Sequence, residues 1–200
     1  MAVVEIRGNT DLRKALRRFA PDLEKELQKE IRRALSPVVK QARGFAPATG
    51  EIMRGWQPRS FSEARFPFYD QATVRAGIGF TTKAGKPNKN GFTSIASVFN
   101  KSAAGAIYEG AGRLGPQKWV GPKAGGTGKG VSRSNWSGAG EQFIQNLPPL
   151  TSSLKGTGRL IYRAWAANRG LAEGITMKAI STTTEKFYAR SKAGQLGKAA

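Results

Sequence analysis

Between residues 10 and 45 the apolar positions Leu12, Leu16, Phe19, Leu23, Leu27, Ile31, Leu35, Val38, Ala42 and Phe45 recur every three or four residues. This spacing predicts a long amphipathic helix with one buried face. Asn9 or Thr10 is placed to cap its start, and Pro21 and Pro37 predict a break and a kink, because proline lacks the backbone donor and clashes with the preceding turn. The opposite face carries Arg13, Lys14, Arg17, Arg18, Lys25, Lys29, Arg32, Arg33 and Lys40. Asp22, Glu24, Glu26 and Glu30 are spaced to pair with some of them, so this face reads as solvated.

Pro47 and Gly50 end the helical pattern, and an aromatic-rich connector runs to Tyr69. Gln71 to Phe80 alternates, with Val74, Ala76, Ile78 and Phe80 on one side, and Phe92 to Asn100 is a second strand candidate. The polar, basic stretch 81–91 between them has turn composition, so an antiparallel hairpin is expected. Ala103 to Tyr108 suits a short helix. Leu160 to Arg190 suits a closing helix with Ile161, Ala164, Trp165, Ala172, Ile175, Ala179 and Phe187 near one face, although Gly170, Gly174 and the run Ser181 to Thr184 weaken the pattern. The fold expected is α+β: a long kinked N-terminal helix and a C-terminal helix packed on a small antiparallel sheet, in one domain over 1–200.

Two segments fall outside that pattern. Ala111 to Gly140 is rich in Gly, Ser, Pro and Lys, contains Arg113, Lys118, Lys123, Lys129 and Arg133 with no acid, and includes Trp119 and Trp136. A long cationic loop dotted with large aromatics reads as an interaction loop ordered by a neighbouring subunit, with both tryptophans and Lys118, Lys123, Lys129 and Arg133 as candidate interface residues. Ser191 to Ala200 reads as a flexible basic tail.

Composition narrows the chemistry. The 200 residues include no cysteine and no histidine, which removes disulfides, thiolate metal sites and the commonest neutral-pH base, so no enzyme activity, metal or cofactor is expected. Gly110-Ala-Gly112-Arg-Leu-Gly115 fits the dinucleotide pattern literally, but Pro116 stands where its helix would begin. Gly126-Thr-Gly-Lys-Gly130 has Gly130 where a phosphate loop needs a hydroxyl for magnesium. Asp70, Glu109, Glu141 and Glu173 stand alone in sequence. No apolar leader or membrane-length stretch is present, so a soluble protein made in a reducing cytoplasm is expected. The 33 Lys+Arg against 13 Asp+Glu give a formal charge of +20, which calls for polyanionic or acidic neighbours.

Three segments carry a family resemblance. Ala46-Pro47-Ala48-Thr49-Gly50-Glu51-Ile52-Met53-Arg54-Gly55-Trp56, Ala106-Ile107-Tyr108-Glu109-Gly110-Ala111-Gly112 and Gly158-Arg159-Leu160-Ile161-Tyr162-Arg163-Ala164-Trp165 are similar to the helix-ending turn, the tyrosine-glutamate-glycine element and the closing helix of one family. The chain resembles the tail-completion or head-to-tail joining proteins of long-tailed bacteriophages. Its motif-bearing residues are Pro47, Thr49, Gly50, Trp56, Tyr108, Glu109 and Gly112. The resemblance implies a structural virion protein, a small α+β subunit in a ring, commonly a hexamer, between head-connector proteins and the tail tube or tail terminator. It brings no catalytic residues. Sequence-independent contact with packaged double-stranded DNA belongs to the same expectation. The rival reading is a basic nucleic-acid-binding protein, with Trp119 and Trp136 stacking bases among lysines; a tail terminator or another minor tail protein stands behind it.

Overall fold

The computed structural model describes residues 2–5, 9–49, 68–83, 85–86, 93–113, 118–119, 131–132, 139–153 and 156–195. Its N-terminal helical region is two helices, α1 (Asn9–Phe19) and α2 (Pro21–Gly44). The boundary is Ala20, whose φ of −151° and ψ of 67° lie outside the helical region. A proline disfavours helical geometry in the residue before it and is well accommodated at the first position of a new helix. Pro21 therefore ends α1 and opens α2, whereas α2 continues through Pro37 to Gly44.

The predicted strand from Gln71 to Phe80 divides into two elements. Gln71–Gly77 is a helix, α3, and only Ile78–Thr81 is a strand, β2. The cause is local: the Asp70 carboxylate accepts the Thr73 amide at 2.7 Å and the Thr73 hydroxyl at 2.5 Å, capping a helix start that outweighs the alternation. Ser94–Asn100 forms β3, antiparallel to β2 with Ile78 opposite Asn100 and Thr81 opposite Ser97. A strand that the periodicity did not indicate, β1 (Ala2–Glu5), pairs antiparallel with the other edge of β3. The sheet order is β1-β3-β2.

A short helix, α4 (Ala103–Gly110), follows, capped by Ser102, whose hydroxyl accepts the Gly105 amide at 3.1 Å. Within the predicted interaction loop, backbone at Lys118–Trp119 (β4) pairs in parallel with Val131–Ser132 (β5). The helix α5 (Ala139–Gln145) then leads to a small antiparallel hairpin of β6 (Thr151–Ser153) and β7 (Gly156–Gly158). The closing helix α6 runs Ile161–Lys192, so its last turn takes in the first two residues of the predicted tail. Residues 196–200 lie outside the described residues.

The architecture is mixed, helices with small antiparallel sheets, as expected of an α+β chain. One apolar core joins Leu16, Leu23, Leu27, Ile31 and Val38 of the N-terminal helices to Val74, Ile78, Ile95 and Val98 of α3 and the sheet, and to Leu160, Ala164, Trp165 and Ala172 of the C-terminal region. α2 packs along α6 and also meets β2 and β3. At roughly 1.5–3 kcal/mol for each large apolar side chain removed from water, this shared core is the main stabilising term.

Candidate functional site

Two of the three motif segments meet at Tyr69. Its hydroxyl donates to the Pro47 carbonyl at 3.1 Å, and its ring packs 5.9 Å from the Tyr108 ring, tilted by 56°. Gln71 closes the same junction: its amide donates to the Thr49 hydroxyl at 3.1 Å and its side chain to the Ala46 carbonyl at 2.7 Å. Burial pushes both phenols above their ordinary value, keeping Tyr69 and Tyr108 neutral hydrogen-bonding groups. Gly50 and Trp56 lie outside the described residues.

Glu109, isolated in sequence, is buried and central to the second junction. Its carboxylate accepts the backbone amides of Arg159 at 3.2 Å, of Tyr162 at 2.9 Å, and of Leu160. These are orphan donors at the start of α6, where the helix dipole favours negative charge. The N-cap residue of α6, Leu160, makes no side-chain cap. Glu109 therefore takes the capping role from about fifty residues away. Arg159 completes the junction by donating to the carbonyls of Tyr108 at 2.9 Å, Ala111 at 2.8 Å and Pro148 at 2.5 Å. Its own burial lowers its pKa from the ordinary value.

Gly158 and Gly112 leave no room for a side chain around this capping site. A Cβ at Gly158 would lie 2.6 Å from Cδ of Glu109, and Gly112 has φ +84° and would bring a Cβ to 2.9 Å from Ile144. Arg113 stacks its guanidinium 4.8 Å from the Tyr162 ring centre. Gly112, Arg113 and Ile144 of α5 thus pack around this junction, at the two ends of the segment predicted as an interaction loop.

Arg13 overturns part of the expected solvated face. It is 4% exposed, pairs with the Glu24 carboxylate at 2.9 Å, and donates to the Thr82 carbonyl at 2.8 Å. Arg17 and Gln28 also donate to Glu24, at 3.3 and 2.8 Å. Burial raises the pKa of Glu24, but the hydrogen bonds from Arg13, Gln28 and Arg17 outweigh it and leave the net shift downward. A buried charge survives only with such partners.

The remaining cations of α2 stay on its solvent side. Lys25, Lys29, Arg32 and Lys40 are exposed, and none forms an ion pair among the described residues. Two acids near them are engaged from α6: Asp22 pairs with Arg190 at 2.7 Å, and Glu26 pairs with Lys186. An open groove of about 590 Å³ beside α2 is lined by Ser36, Val39, Lys40, Arg43, Gly79 and Phe80. Arg43 there is committed to the Ile78 carbonyl, at 2.7 and 3.1 Å. No cluster of acids suited to a metal ion occurs among the described residues.

Of the predicted interface residues, Lys123, Lys129, Arg133 and Trp136 lie outside the described residues, and Lys118 and Trp119 are described only as backbone of β4. Comparison with protein-family models, with curated proteins and with solved structures found no match. The functional roles of Glu109, Arg159 and Arg13 in the architecture were missed by the pattern. Glu109 and Arg159 both lie inside motif segments, which was the available signal; for Arg13 the sequence offered none.

Proposed function

We propose that the chain is a structural subunit of a phage neck, one copy in a six-fold ring that joins the head connector to the tail tube, with no catalytic role. The observation that supports this best is the convergence of the motif segments: Tyr69 links the Pro47–Thr49 turn to Tyr108, and Glu109 caps the segment that opens α6. In this reading the motifs build the scaffold, and binding is left to the cationic exterior and to the Gly-rich interaction loop. Trp119 and Trp136 anchor that loop on a neighbouring copy or neck protein, with Lys118, Lys123, Lys129 and Arg133 around them. The kinked N-terminal region and the long loop complete the architecture proposed for the ring. The site of action is the virion neck, after synthesis in the host cytoplasm.

Electron microscopy of the purified protein and quantitative mass spectrometry of virions test this. Rings of defined symmetry and a fixed low copy number in particles are expected. Complete particles that lack the protein would overturn the proposal.

The nucleic-acid-binding reading is favoured by one observation, the unpaired cations along α2.

A further inference from the structure

Lys25, Lys29, Arg32, Ser36 and Lys40 follow one another at intervals of four, three, four and four residues on the exposed side of α2. At 1.5 Å per residue this row is about 22 Å long. Among the described residues no acid pairs with its four cations, and Asp22 and Glu26 beside it are held by α6 through Asp22–Arg190 and Glu26–Lys186. Arg33 and Arg43 flank the row but are partly engaged, by Glu30 at 3.8 Å and by the Ile78 carbonyl. The fold therefore sequesters negative charge on one flank and leaves a linear positive ridge.

We propose that this ridge of α2 is a contact surface for the phosphate backbone of double-stranded DNA, without sequence readout. Two features select that partner. The row has no apolar residue, whereas a stable protein interface needs a desolvated apolar or aromatic centre. Cations with an interspersed serine are instead the groups that bind phosphate and sugar. The row also has no aromatic on which unpaired bases would stack, which favours a duplex over a single strand. A strand of B-DNA presents a phosphate every 3.4 Å or so along its axis, so a ridge of this length faces several without entering a groove. Four lysine and arginine contacts hold DNA loosely enough to let it slide, as a neck conduit requires. The inference deepens the neck reading and rests on it for the presence of DNA, while the test uses the isolated protein, so its failure is distinct from absence of the protein from particles.

The test is fluorescence anisotropy of a labelled random-sequence duplex with the full-length chain, titrated between 50 and 200 mM salt, for the wild type and for K25Q/K29Q/R32Q/K40Q. All four side chains are exposed, and unchanged circular dichroism and thermal midpoint establish that the variant is folded. The wild type is expected to bind with a steep salt dependence. Losing four phosphate contacts should shrink the affinity change across this salt range by about two orders of magnitude. K178Q/K192Q, on the exposed side of α6, should leave the salt slope nearly unchanged. An unaltered slope in the α2 variant, with the slope lost instead in K118Q/K123Q/K129Q/R133Q, would overturn the assignment in favour of the loop. Single strands that compete as well as duplex at equal phosphate would overturn the choice of duplex. Binding of polyglutamate in preference to duplex would overturn it in favour of an acidic protein partner.

Discussion

Glu109 accepts the backbone amide of Tyr162 at 2.9 Å across 53 residues of chain. The same carboxylate accepts the amides of Arg159 and Leu160, so one side chain of α4 supplies the cap that α6 lacks locally. Removing it leaves buried donors without partners, each at a cost of about 1–3 kcal/mol. Glu109→Ala should therefore lower stability by roughly 3 kcal/mol or more, and Glu109→Gln by less, since the carboxamide keeps one acceptor oxygen. Urea unfolding checks this: the midpoint should fall while the slope stays constant. A midpoint equal to wild type for both variants would show that the cap contributes nothing.

Gly158→Ala should act on the same junction from the other side. The added methyl would sit 2.6 Å from Cδ of Glu109 and 2.9 Å from the Tyr162 ring, so the carboxylate must leave its amides. A loss of about 1–3 kcal/mol is expected for such overpacking. In a double-mutant cycle with Glu109→Ala the two losses should add to much less than their sum, because both remove one interaction. Strict additivity would place the strain elsewhere.

The buried Arg13–Glu24 pair should be intolerant of single truncation. Glu24→Ala strands the Arg13 guanidinium, and breaking a buried pair costs about 3–5 kcal/mol. Replacing both residues together with methionine and leucine should recover much of that loss. The pH dependence follows from the downward shift of Glu24. Its contribution is full above the ordinary glutamate value of 4.5 and disappears as pH falls through its lower folded value. Asp70 is likewise held below its ordinary value of 3.8, with the Thr73 hydroxyl and amide as causes, and loses its contribution as pH falls through its own lowered value. Thermal melts between pH 6 and pH 3 should show a smaller acid-induced loss for Glu24→Gln than for wild type; parallel curves would contradict the linkage.

Leu27→Asp and Ile31→Asp place a carboxylate at positions 0% and 1% exposed in the core. Both belong to the apolar core, and an unpaired buried charge is costlier than the chain's whole margin of stability, commonly about 5–15 kcal/mol. No soluble folded protein is expected from either, judged by recovery and circular dichroism. Wild-type recovery would disprove the packing of α2.

Replacing residues 114–138 by a Gly-Ser linker tests the interaction loop predicted at 111–140 while keeping its packed ends. Arg113 and α5 are kept because Arg113 packs on Tyr162 and Phe143 packs against the core. The shortened protein should melt within a few degrees of wild type yet fail to restore joining of heads to tails. Fully infectious particles would remove the loop from the assembly.

The sequence by itself determined where apolar surface must be buried. The stripe from Leu12 to Phe45, the β2–β3 pairing and the span of α6 were legible because side-chain periodicity follows local backbone geometry. The break at Pro21 was legible for the same reason, since proline restricts its own neighbour. Asp70 and Thr73 carried a capping signal that the alternation from Val74 to Phe80 obscured. Only the tertiary structure decided that Arg13 lies inside, that β1 joins the sheet, and that Glu109 caps α6. Each depends on which distant segment brings a carboxylate, a strand edge or a free amide within hydrogen-bonding distance. A side chain's type states what partner it needs, whereas the path of the chain decides whether that partner arrives.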